Sequence, residues 1–549
     1  MENNSSAIGE NQTANMYTYQ EDQKSQIVES GAIRRSLGEG NPNAIPENQL
    51  KNINSINNER AIGQNSIILQ VNHTPPLYWM FFLFFAISQI IIIILLANYY
   101  QWDQLNKPDN LNNNDNNSAK STIQKSYKIF QEINIMIFLG FGFLHSFLKH
   151  HSWTSIAINF MGGITSFEIG LFALICWGSI FKKKWSDGIF NFNHLLDANY
   201  CAATIVISLG AVLGKLSLPQ YLVMIFIETI FSTLHYVLLR LILKIIDVGG
   251  ALTVHLFGAI FGGIFSLVFF FSKDERERIK NNYHLGSNYN SNIFALFGTL
   301  ILITYWPSFN TSLIEENVDK YRGIINTYLA ILGSIVGTFY ISPICNKGKI
   351  KIKDIINSCY SGGIIVAGCC HIIKHFWVSI LLGVGCGGIT TFLYNYLSDI
   401  FKKYGFHDTS DIIYYHGIPG ILGGIISTIF SGSLGNPNEE MNKADLYKYI
   451  GTIMDYSLYK KTSDNNNKDD EKINLSIFAG KHFAAIFITI SIAVASGFFA
   501  GFLIKFCNCN IAIKYFNDSE YFDVRDNEPF PWDDEQVELS GQYNSRTVQ

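Results

Sequence analysis

The sequence predicts an all-α, polytopic membrane protein of about twelve transmembrane helices. Composition is the first sign: 48% of the 549 residues are apolar, 14% aromatic and only 15% charged, against roughly 25% charged in a soluble domain. The second is the recurrence of apolar segments close to the ~20 residues that a ~30 Å hydrocarbon layer requires. The third is a histidine, His255 or His416, inside each of two such segments. An ionisable side chain at membrane depth is costly and faces a cavity or a partner rather than lipid. The net charge of −4 offers nothing to a nucleic acid.

Residues 1–75 are rich in Asn, Gln, Ser and Glu and cannot bury a core, so they read as a disordered cytoplasmic tail without a signal peptide. The transmembrane domain follows at 76–507, and an acidic cytoplasmic tail at 508–549. The first span is 77–98, with an Ile-rich centre. The others are 128–148, 153–180, 199–217, 219–246, 250–271, 292–308, 322–343, 355–374, 376–400, 411–431 and 477–506. Gly362, Gly363 and Gly368 make 355–374 resemble tightly packed helix rather than lipid-facing wall. The nine cysteines lie in or beside apolar runs, so no disulfide framework is expected.

Alternate short loops hold Lys149, Lys215, Lys273 to Lys280, Lys347 to Lys353 and Lys402-Lys403, and lysine excess marks the cytoplasmic side. Both termini then fall there. Lys182-Lys183-Lys184 conflicts with the rule. Loop 101–126 and the hydrophilic insertion 433–475 face outward, which makes Asn116-Asn117-Ser118 a glycosylation acceptor.

His255 and His416 are the residues most able to carry chemistry. Neutral imidazole has one donor and one acceptor nitrogen, so two facing rings form a polar strip suited to a small hydrogen-bonding molecule. Alternatively, each packs a helix and bonds a backbone carbonyl. Gly258, Gly262 and Gly263 follow His255, and Gly417, Gly420, Gly423 and Gly424 follow His416; such helices approach their neighbours closely and hold the rings in place. Asp247 and Asp408 each stand eight residues before a histidine, as caps of backbone amides or as lures for a cation. In Trp306-Pro307-Ser308-Phe309-Asn310, proline is expected to end the helix, and the aromatics form either an interfacial belt or a steric gate. Two other classes stay open: a haem protein with histidine axial ligands, and a sensor or scaffold acting through its tails and Cys507-Asn508-Cys509.

Met136 to Leu144, Gly210 to Lys215, Asp247 to His255 with Phe257-Gly258-Ala259, Tyr305 to Asn310, Ile325 to Tyr328 and His416 to Gly420 together resemble, in order, the Rhesus (Rh) glycoprotein branch of the ammonium transporter family. The resemblance covers roughly residues 77 to 506. It implies an ammonium-transporter-like bundle with pseudo-symmetric halves, assembled as a homotrimer in membrane lipid, with one apolar pore per subunit that carries ammonia or ammonium. Carbon dioxide is an alternative substrate. Neither an enzyme activity nor a cofactor or metal is implied. The membrane is the plasma membrane or, alternatively, a vacuolar one. His255 and His416 match the family's pore histidines, Asp247 its outer-side aspartate and Phe309 one of two stacked gate phenylalanines. The other gate position is Tyr200, following Asn199 where Rh relatives show Asp-Phe, which puts a hydroxyl at the pore mouth. Tyr236 stands where Rh proteins often carry a vestibule glutamate, and no tryptophan lies between Gln220 and Asp247. These departures argue against high-affinity ammonium capture.

Overall fold

The computed structural model describes residues 75–102, 113–183, 188–280, 282, 284–314, 317–433, 441–442, 472–473, 475–506 and 515–522. The expected tail 1–75, except for Pro75, nearly all of the 433–475 insertion, Cys507 and Cys509, and most of 508–549 lie outside the described residues. The chain divides at Phe84/Phe85. Everything below concerns the second unit, Phe85–Gln549, apart from the start of the first described helix, Pro75–Tyr99 (α1).

Among the described residues, nine segments are long and apolar enough to cross a membrane. Asn113–Asn134 runs through a π-helical turn, Ile135–Gly140, into Phe141–His145, and the three together form α2. Helices Ser152–Lys182 (α3), Phe192–Gly210 (α4) and Leu218–Val237 (α5) follow. A π-helical turn, Ala251–Leu256, then opens Phe257–Phe269 (α6). After a short polar helix, Lys273–Lys280 (α7), come Tyr289–Thr311 (α8) and Asn317–Cys345 (α9). The short pieces Ile352–Ser358 (α10) and Ser361–Ile365 (α11) precede Phe376–Lys403 (α12). A π-helical turn, Ile413–Gly417, opens Ile418–Gly432 (α13), and Leu475–Phe506 (α14) is the last long helix. Among the described residues, strands are confined to two short pairs: Tyr100–Trp102 lies parallel to Gly188–Phe190, and Met441–Asn442 antiparallel to Lys472–Ile473.

Local chemistry explains the boundaries. Asn191 Oδ1 accepts the amide of His194 to start α4, Gln220 Oε1 accepts that of Ser217 to start α5, and Asn288 Oδ1 accepts that of Ser291 to start α8. Four expectations need correction. Span 199–217 is helical only to Gly210, because 211–217 forms turns that carry Lys215. Segment 355–374 is not one helix: after α11 it proceeds by turns, which its glycines press against Trp306, Ala330 and Ser427. Pro307 does not end α8, which continues to Thr311; a proline removes one hydrogen bond without obliging a packed helix to stop. Asn116, placed in a loop from sequence, falls within α2.

Glycines set the helix spacing. A Cβ on Gly258 would lie 2.6 Å from the carbonyl oxygen of Thr204, and one on Gly262 2.5 Å from that of Ser208, so α6 meets α4 backbone to backbone. In the same way Gly333 and Gly337 of α9 press on the carbonyls of Ile380 and Val384 in α12, and Gly383 and Gly387 of α12 on those of Ala330 and Ser334 in α9. Large apolar side chains such as Ile93, Phe339, Tyr340 and Phe487 point outward instead, as a lipid-facing surface demands. The seven cysteines among the described residues are free thiols.

Candidate functional site

Two of the π-helical turns, Ala251–Leu256 and Ile413–Gly417, carry the two histidines. Gly250, at φ +72°, reverses the chain where a side chain would be strained, and Asp247 Oδ2 accepts the amide of Thr253 at 2.9 Å and its hydroxyl at 2.8 Å. His255 follows in the same turn. Its counterpart repeats the device: Asp408 Oδ2 accepts the amide of Ile413 at 3.0 Å, and His416 lies within that turn. Both acids therefore act at the head of a wide turn. The rings meet in the core, with His255 Nδ1 3.2 Å from His416 Nδ1 and centroids 5.4 Å apart. One nitrogen donates and the other accepts, so the contact fits two neutral rings of opposite tautomer. His255 Nε2 has no partner. Trp306 stacks on His255 at 5.4 Å, and Tyr360 lies 5.3 Å from His416.

Tyr200 and Phe309 stack 4.5 Å apart at 15°, both fully buried, and Phe309 lies 6.2 Å from His255. The Tyr200 hydroxyl does not face a pore mouth, contrary to expectation. It turns back into the protein to reach the carbonyls of Phe309 at 2.6 Å and Val248 at 2.7 Å. The sequence reading missed what supports this ring. Tyr236 donates to Asp197 Oδ1 at 2.5 Å, Arg240 Nη1 donates to the Tyr236 oxygen at 2.7 Å, and the Tyr236 ring lies 6.5 Å from Tyr200. All three side chains are buried. A signal existed: Tyr236 and Arg240 are four apart in an apolar segment, and an arginine there needs an acid. Asp197 is that acid.

Beyond His416 lies a cavity of about 650 Å³, lined by His145, Tyr360, Asp408, Ser410 and His416 and rimmed by basic side chains including Lys273, Arg276, Lys402 and Lys403. Sequence inspection passed over His145. At the edge, Lys215 is buried and donates to the His407 carbonyl at 2.8 Å and to Ser266 Oγ at 3.0 Å. Burial pushes the Lys215 ammonium below its ordinary range, against the pull of Asp408 and Asp411; burial likewise raises the Asp408 carboxyl, and nearby Asp411 adds to it. The segment 515–522 docks beside this loop. The amide of Phe516 donates to the Gly214 carbonyl at 2.8 Å, and Asp518 accepts the amides of Trp153 and Thr154 at the start of α3.

No group of three or more His, Cys, Asp or Glu among the described residues is arranged to hold a metal ion. With the two imidazoles in direct contact, a macrocycle has no room between them.

The ammonium transporter family profile matches residues 111–514. The chain is 32% identical over 400 residues to the ammonium transporter Rh type B-B of Xenopus laevis, covering 72% of this chain and 81% of that protein. It is 34% identical over 334 residues to the ammonium transporter Rh type C of Tetraodon nigroviridis, covering 60% and 68%. Its fold is similar to that of Nitrosomonas europaea Rh50, with a TM-score of 0.60 at 22% identity over 78% of this chain and 99% of that one. A match whose bounds enclose both histidine turns, with Rh-type proteins among the relatives, makes this chain a member of the ammonium transporter family, in its Rh branch.

Proposed function

We propose that this protein, an ammonia/ammonium channel by family, conducts ammonia past Tyr200 and Phe309 and along His255 and His416, driven by concentration or pH gradients. The buried imidazole pair carries the reading. Its polar atoms lie among aromatic rings, where an unpaired ammonium ion would suffer a heavy desolvation cost. Ammonia loses only a few hydrogen bonds to water, and ring nitrogens such as the unpartnered His255 Nε2 replace them. The ion therefore leaves a proton behind before the stacked gate. Asp247, spent on backbone amides, shapes the histidine turn. The subunit works as one of three in an integral membrane homotrimer, its lipid-type surface interrupted by subunit contacts, with Asn116 glycosylated on the outer side.

The test is stopped-flow fluorescence of proteoliposomes with an internal pH dye and a parallel electrical recording. Ammonia conduction gives rapid internal alkalinisation without net current. A current that scales with flux refutes the neutral route.

A further inference from the structure

We propose that Asp408, Ser410 and His145 form an ammonium-binding station at the His416 end of the pore, which rests on the conduction reading above. Asp408 is 5% exposed; one of its oxygens holds the Ile413 amide and the other, Oδ1, has no partner. The neighbouring cations are committed elsewhere. Lys215 Nζ is spent on Ser266 Oγ, the His407 carbonyl and His407 Nδ1, and Lys353 pairs with Asp411. A buried carboxylate oxygen without a donor is costly, and a ligand that donates hydrogen bonds removes the cost.

Two further unpartnered atoms lie on the same cavity wall, Ser410 Oγ and His145 Nδ1. They belong to adjoining side chains. A Cβ on Gly210 would stand 3.2 Å from His145 Nε2 and 3.3 Å from Ser410 Cβ, so both pack over that glycine. Phe141 bridges the station to the pore, its ring 6.0 Å from His145 and 6.0 Å from His416. The wall thus offers one carboxylate oxygen, one hydroxyl and one imidazole nitrogen. Ammonium, small, cationic and carrying four N–H donors, is complementary to that set.

At the opposite end the two acids beside the gate are already engaged. There Asp247 is occupied by the amides of Leu252 and Thr253, and Asp197 by Tyr236 with Arg240 close by. The two mouths are therefore unequal. The basic rim repels a cation, so the station binds weakly and fills only when ammonium is abundant on that side.

The asymmetry is measurable in saturation. Detailed balance obliges a passive pathway to have equal limiting permeability in both directions, but the concentrations that half-saturate it from either face are free to differ. Full-length protein is reconstituted in one orientation, and ammonium flux is measured from each face at equal pH without voltage. The unmodified channel saturates at lower ammonium from the His416 face. Asp408→Asn keeps the cap on Ile413 and removes the charge; it raises that half-saturating concentration at least about fivefold while leaving the other face within about twofold. His145→Leu and Ser410→Ala shift it in the same direction. Wild-type saturation from the His416 face in folded Asp408→Asn and Ser410→Ala proteins overturns the station, as does an equal shift from both faces. If Asp408→Asn fails to fold, Ser410→Ala decides alone. Absence of flux in unmodified protein would instead sink the conduction reading.

Discussion

Replacing either central histidine by leucine isolates the contribution of one hydrogen bond. Leucine keeps comparable bulk, and the glycine contacts that seat the histidine turns, such as Gly420 against the Ala251 carbonyl, stay in place. The Nδ1 to Nδ1 contact of 3.2 Å disappears, and ammonia crosses that level with one partner fewer. A hydrogen bond lost in a dry site costs about 1–3 kcal/mol, a crossing slower by roughly five- to 150-fold if that level is the barrier. His255→Leu and His416→Leu should each fall in this range in stopped-flow alkalinisation, with assembly intact by size-exclusion chromatography. The rings share one contact, so the double substitution should cost less than the sum of the singles, with a coupling of about 0.5–3 kcal/mol. Both single variants conducting at the unmodified rate, correctly assembled, would refute the role of the pair.

Tyr200→Phe should leave conductance within about tenfold, since the stacked ring remains; losing its hydroxyl anchor to Val248 and Phe309 should lower stability by about 1 kcal/mol, read as a depressed thermal midpoint in detergent. Phe309→Ala should open the constriction, and unchanged osmotic water permeability would count against a gate there. Arg240→Leu strands the buried Asp197 carboxylate and should cost about 3–5 kcal/mol of stability, an effect that an unaltered thermal midpoint would contradict. Gly262→Ala drives a methyl into the Ser208 backbone and should destabilise the fold, whereas Gly385→Ala meets nothing within 4 Å and should be neutral. Equal midpoints for these two alanine variants would refute the close packing of α6 on α4.

Hydrophobic length gave away the helices, because a bilayer demands about twenty apolar residues whatever their partners. Segment 355–374 misled for the same reason: its apolar composition serves burial inside protein, and length cannot tell that from lipid. The paired histidines were legible because two ionisable groups at membrane depth need an explanation. His145 was not, since it stands beside lysines and histidines at the end of α2 and looks like loop polarity. The Tyr200 hydroxyl was misjudged because its partners are carbonyls of Val248 and Phe309, and backbone acceptors leave no trace in side-chain identity. Asp197 and Arg240 sit 43 positions apart in numbering, so only the fold reveals that they belong to one cluster.

The π-helical turns at Ala251–Leu256 and Ile413–Gly417 make chain length, as much as composition, a property of the pore. A π turn holds an extra residue over an α turn, so removing one residue there would restore α geometry without breaking the helix beyond it. Everything before the deletion would then rotate by about 100° around the axis. Asp247 or Asp408 would leave the head of its turn, and the ring eight positions later would lose its seat. Single-residue deletions in these two turns should therefore yield folded bundles with misaligned histidines, whereas the same deletion in the middle of α14 would shift an outward-facing stripe into the core.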